Sequence, residues 1–124
     1  MKNPRQKSSS ATTPAGFCRI FSYLVAPSQA KAFRKTYGPG GPWVRLFAQG
    51  EGYLGTKLLK RVATKDEYLT IDSWRAAADW RAFLKQHRRR YQQLSVECQS
   101  LYRSEVEIGS FAMPTATAAM KRQT

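Results

Sequence analysis

The sequence predicts a single α+β domain of ferredoxin-like topology. Three observations carry this. Four segments read as β-strands by alternation and by aromatic and β-branched content. One long segment repeats apolar residues every three or four positions. In order along the chain, the elements run strand, helix, two-strand hairpin, helix, strand, which is the split βαβ pattern βαββαβ. Two crossovers of this kind put the helices on one face of a four-stranded antiparallel sheet and leave the other face open. The chain has 124 residues, 42% of them hydrophobic and 12% aromatic, enough for one domain to bury a core without disulfides or metals.

The elements follow in order. The head, 1–16, is rich in Ser, Thr, Pro and Lys and is expected to be disordered. FCRIFSYLV, 17–25, is the first strand, with Phe17, Phe21, Tyr23 and Val25 alternating with Cys18, Ile20 and Leu24. Pro27-Ser28 opens a short helix with Ser28 as N-cap, and Gly38 ends it. PGGP, 39–42, is a turn cluster, without the spacing of a phosphate loop. A second short helix starts at Pro42, with Trp43, Leu46 and Phe47 on one face. YLGTKLLKRV, 53–62, and EYLTIDSW, 67–74, form a hairpin across the turn 63–66. A long helix follows at about 76–101, its core stripe running Trp80, Leu84, His87, Tyr91, Leu94, Cys98, Leu101. YRSEVEIGSF, 102–111, is the last strand, and 112–124 is a loose tail.

EYLTIDSW has two chemically distinct faces. Leu69, Ile71 and Ser73 point one way; Tyr68, Thr70, Asp72 and Trp74 point the other. Tyr68 and Trp74, with Phe or Tyr from the first strand, are assigned to the open face of the sheet. Such a face is unusual for a monomer, so a homodimer is expected, with a second copy as its cover.

Composition excludes several classes. Two cysteines, Cys18 and Cys98, and one histidine, His87, are too few for a zinc or iron–sulfur centre. Both cysteines fall in apolar runs and read as buried thiols. No stretch of 18 apolar residues exists, and the first 16 residues lack the apolar core of a secretory signal, so a cytoplasmic protein is expected. The net charge is +13; the head and tail hold five of the basic residues, which leaves +8 on 17–111. That balance favours anionic partners without naming one. No nucleic-acid recognition motif is present, so specific nucleic-acid binding is not expected.

The middle of the chain resembles the antibiotic biosynthesis monooxygenase family. The resemblance spans about 17–111 and rests on Tyr37-Gly38-Pro39, Trp43 with Phe47, Gly52-Tyr53-Leu54-Gly55-Thr56, and Asp72-Ser73-Trp74 followed by Asp79, Trp80 and Phe83. It implies a dimeric α+β barrel, two ferredoxin-like sheets closed face to face. It also implies cofactor-independent oxygenation of aromatic polyketides or quinols, although other members degrade haem or have no known activity.

By the same resemblance, the pocket lies between sheet and helices. The catalytic candidates are His87, Tyr37 and Trp74, and the substrate-binding candidates are Tyr23, Trp43 and Tyr91. Histidine is the side chain suited to proton transfer at physiological pH, so His87 would act as base. Tyr37 or Tyr91 would hydrogen-bond a substrate oxygen, and Trp74 would stack on the substrate. Each has a plainer alternative: His87 sits in the apolar stripe and Trp74 at a strand end, where packing alone explains them. Arg88-Arg89-Arg90 reads as a solvated face. The haem-degrading branch uses an Asn, a Trp and a ligating His. Here Leu84 stands where that His is expected, with His87 one turn further on, and the first strand has no Asn. The leading reading is a small monooxygenase on an aromatic substrate without cofactor or metal. The alternative is a non-catalytic ligand-binding or stress-response module on the same fold.

Overall fold

The computed structural model describes residues 16–64 and 66–114. Strand β1 (Phe17–Leu24) is followed by a 3-10 turn at Pro27–Gln29 and helix α1 (Ala30–Tyr37). Helix α2 (Pro42–Phe47) leads into β2 (Tyr53–Lys60) and β3 (Glu67–Trp74). Helix α3 (Ala77–Glu97), a 3-10 turn at Gln99–Leu101 and β4 (Ser104–Ala112) complete the domain. The four strands form one antiparallel sheet in the order β2-β3-β1-β4, which is the ferredoxin-like arrangement expected from the element order.

Local chemistry explains most boundaries. Pro42 occupies the first turn of α2, where its missing N–H costs nothing. Gly38 caps α1 with its N–H donated to the Arg34 carbonyl. Ser28 is not the N-cap of α1: it lies inside the preceding 3-10 turn, and Gln29 takes the cap position without a side-chain bond. Helix α3 has no side-chain cap either. Its first turn holds Asp79, whose carboxylate accepts two hydrogen bonds from Arg75 at 3.1 Å each and suits the positive end of the helix. Gly52 (φ +89°) lies against that carboxylate, and a Cβ there would come within 2.4 Å of Asp79. The Arg75 N–H donates to the Gly52 carbonyl, tying the helix start to β2.

Two bulges shape the sheet. The register shifts between Tyr53 and Gly55 on β2, and opposite Ile20 and Phe21 on β4, leaving Leu54 and Ile108 outside the pairing. Both are exposed. The last strand runs one residue further than expected: Ala112 belongs to β4 and the Met113 N–H donates to the Gly16 carbonyl. The rest of the expected head and tail lies outside the described residues, apart from Gly16, Met113 and Pro114.

The core lies between sheet and helices and is mostly aromatic. Tyr23, Tyr68 and Trp74 from the sheet meet Phe33 and Tyr37 of α1, Trp43, Leu46 and Phe47 of α2, and Trp80, Phe83 and Leu94 of α3. Phe47 is the hub, with the rings of Trp43, Tyr53, Trp74, Trp80 and Phe83 centred 5.4–6.3 Å away, mostly tilted or edge-on. The expected apolar face of α2 is therefore the one that is buried.

One expectation about the sheet is reversed. Tyr68, Thr70, Asp72 and Trp74 face the helices and are buried, and Leu69, Ile71 and Ser73 lie on the open side. Alternation defines two faces but does not say which one the helices cover. Volume decides it: α2 and α3 present large rings, and only large partners on β3 and β1 fill the space against them. The open face remains apolar, but its residues are mostly aliphatic. Leu24, Leu59, Val106, Ile108 and Phe111 are exposed, Val106 at 53% and Ile108 at 50%. The stripe of α3 largely holds: Trp80, Leu94 and Cys98 are buried, and Leu84, Tyr91 and Leu101 pack against the core. The helix backbone leaves helical geometry at His87 (φ −120°, ψ 23°), and Phe83, outside the expected stripe, is more deeply buried than Leu84. Cys98 is buried and Cys18 half-buried, both as free thiols.

Candidate active site

A cavity of about 170 Å³ opens between the sheet and the helices. Strand β1 contributes Arg19, Phe21 and Tyr23; β2 and β3 add Thr56, Thr70 and Asp72. From the helical side come Tyr37, Trp43, Phe47 and Tyr91, and the edge strand β4 sets Glu105 and Glu107 beside the opening. Four of the six candidates named from the sequence, Tyr23, Tyr37, Trp43 and Tyr91, thus line one cavity.

The other two lie outside this cavity. His87 is half-buried at the kink of α3, and its ring stacks on Phe83 with centroids 4.9 Å apart. Trp74 is fully buried and packs against Phe47, Tyr53, Trp80 and Phe83. Among the described residues its Nε1 has no hydrogen-bond partner, and neither has Nε1 of Trp43, although the Tyr37 hydroxyl and the Cys98 thiol lie beside the latter.

Two charged residues that sequence reasoning left without a role stand at the centre. Arg19 and Asp72 are directly paired positions of β1 and β3, on the face under the helices. Asp72 is 8% exposed, and its Oδ1 accepts a 2.7 Å hydrogen bond from the Thr56 hydroxyl, which in turn bonds Tyr53. Burial pushes the Asp72 carboxyl up to about 6, against the downward pull of the Thr56 bond and the Arg19 charge. The Arg19 side chain is nearly enclosed. Its guanidinium carbon sits 4.1 Å from the centre of the Trp80 ring and 4.9 Å from that of Phe21. It also reaches the Tyr91 hydroxyl at 3.5 Å and the Glu107 carboxylate at 3.7 Å.

Tyr23 and Tyr37 stay protonated. Burial raises Tyr37 and Tyr23 far above the ordinary phenol value, and Tyr23 donates a 2.8 Å hydrogen bond to Glu105. The cavity therefore combines a carboxyl group that titrates near neutrality, a fixed guanidinium, phenol donors and aromatic walls. Such a set can bind a planar aromatic molecule, accept a proton from it and hold the resulting anion. Among the described residues, no three His, Cys, Asp or Glu side chains are grouped to hold a metal ion, and no helix is long and apolar enough to cross a membrane.

Solved structures share this architecture. SnoaB, a cofactor-independent oxygenase from Streptomyces nogalater, superposes with a TM-score of 0.56 at 19% identity, covering 83% of this chain and 95% of that one. A conserved protein from Methanosarcina mazei reaches a TM-score of 0.61 at 10% identity, covering 82% and 96%. A protein of unknown function from Bacteroides thetaiotaomicron, described as a possible oxidoreductase, reaches 0.55 at 15% identity, covering 82% and 100%. The chain has their fold. It is the fold that the resemblance to the monooxygenase family implies, and at these identities the likeness extends to the fold alone. No family model matches the chain, and no curated protein matches it.

Proposed function

We propose that this protein is a small cofactor-independent monooxygenase acting on an electron-rich aromatic molecule of the phenol or quinol type. The observation that carries the reading is the paired Arg19 and Asp72 inside an aromatic cavity. Asp72 takes a proton from the substrate, and Arg19 holds the anion so formed, with Tyr37 donating to a substrate oxygen. The anion passes one electron to O₂. The two radicals combine at a ring carbon to give a peroxide, and loss of water leaves a carbonyl. One oxygen atom enters the product as the new carbonyl, and the other leaves as water with the hydrogen of the attacked ring carbon and the proton first taken from the substrate hydroxyl.

The cavity volume narrows the substrate. A site of about 150 Å³ accommodates one aromatic ring, and this one is similar at about 170 Å³. Monocyclic quinols are therefore favoured over tricyclic anthrones. The exposed apolar face made by Leu59, Val106, Ile108 and Phe111 supports a homodimer in which two sheets close face to face.

Parallel aerobic and anaerobic incubations with monocyclic quinols and with anthrones test the activity. The reading expects oxygen-dependent product from the quinols. Identical products with and without O₂, for every substrate, would remove it.

A further inference from the structure

The charge inside and around the cavity runs against the charge of the chain. The protein carries +13, yet one cation, Arg19, and three carboxylates, Asp72, Glu105 and Glu107, line the site. Arg19 is already paired with Glu107 at 3.7 Å and lies across the strand pair from Asp72. Glu105 receives the Tyr23 hydroxyl. Both glutamates are exposed on the edge strand, whereas Asp72 is buried deeper, its Oδ1 bonded to Thr56. Two bulky rings of α2, Trp43 and Phe47, and Tyr91 of α3 form the apolar wall opposite.

We infer that the cavity selects a single-ring phenol with an alkylammonium side chain, its ring against Trp43, Phe47 and Tyr91 and its ammonium group held at the mouth by Glu105 and Glu107. A cleft lined by one sign of charge concentrates ligands of the other sign, and aromatic walls add attraction for a cation. A carboxylate-bearing ring of the same size meets repulsion from the same two glutamates. This rests on the reading of the cavity as a substrate site and specifies its substrate class. It also separates the cavity from the overall basic charge, which on its own favours anions.

The test is equilibrium binding under argon, at low salt and pH 7.5, of three phenols of matched size: tyramine, 4-ethylphenol and 4-hydroxyphenylacetate. Calorimetry on the full chain reads affinity without turnover. Tyramine is expected to bind tightest and the carboxylate weakest, about tenfold or more apart, the scale of two exposed ion pairs exchanged for two repulsions. In Glu105→Gln/Glu107→Gln the difference collapses, while 4-ethylphenol binds as before. Both positions are exposed, so the fold is expected to tolerate the change, and a thermal melt checks it. Equal or tighter binding of 4-hydroxyphenylacetate overturns the inference, as does a tyramine preference that survives in the double variant, or no binding by any of the three. The oxygenase reading fails separately: tyramine binding with no oxygen consumption on any quinol would leave charge selection standing and remove the monooxygenase.

Discussion

Replacing Asp72 by Asn separates what the fold tolerates from what the chemistry needs. The carboxyl group is buried, and its pKa is raised from the ordinary 3.8 to about 6, mainly by loss of water. Between those two values the folded state binds more protons than the unfolded state. Stability therefore falls as pH rises from about 4 to about 6, and above that the full penalty for a buried anion is present. The gap corresponds to about 3 kcal/mol. Asn keeps an oxygen to accept the 2.7 Å bond from Thr56 and removes the charge. Asp72→Asn is therefore expected to be more stable than the parent by up to about 3 kcal/mol at pH 8, with the difference closing towards pH 4. Urea unfolding of both proteins at several pH values measures this directly. A variant that is less stable at pH 8, or a difference that does not change with pH, would refute the account of Asp72 as a desolvated carboxylate.

Other outcomes follow from the same geometry. If Asp72 is the base, kcat/KM on a quinol rises with pH through an apparent pKa near 6, and a profile flat from pH 5 to 8 would count against it. His87→Gln is expected to keep kcat/KM within about threefold, because the ring stacks on Phe83 outside the cavity; a loss like that of Asp72→Asn would restore His87 as the base. Gly52→Ala is expected to cost about 1–3 kcal/mol in denaturant melts, since φ is +89° and the new Cβ meets Asp79; an unchanged midpoint would show that the turn relaxes freely. Val106→Glu/Ile108→Glu is expected to give a monomer by sedimentation without loss of fold, and an unchanged assembly would place any interface elsewhere.

Much of the fold was legible in the sequence because its signals are local. EYLTIDSW alternates along its whole length, and β3 occupies those same residues. Trp43, Leu46 and Phe47 repeat at helical spacing, and all three are buried. The orientation of the sheet was not legible, because it depends on which side the distant rings of α2 and α3 fill. The kink at His87 was equally hidden, because no proline or glycine marks it.

The site was legible in part. The aromatic candidates Tyr23, Tyr37, Trp43 and Tyr91 came from the family resemblance and meet in one cavity. Arg19 and Asp72 received no role, although a signal was present. Each is a charged residue flanked at i±2 by aromatic or apolar-face neighbours: Phe17 and Phe21 around Arg19, Thr70 and Trp74 around Asp72. A charge on the same strand face as large rings is a candidate for burial, and two such strands paired in register bring opposite charges together. What alternation could not supply was the pairing of β1 with β3, a contact between segments far apart in the chain.

The most direct test of the central claim is turnover of a monocyclic quinol under ¹⁸O₂ by metal-free protein, with Asp72→Asn measured alongside. The account predicts one labelled oxygen atom in the product, and a loss of rate of about 10²–10⁴ in the variant, the scale of removing a general base. Unlabelled product, or equal labelling at equal rates in both proteins, would contradict it.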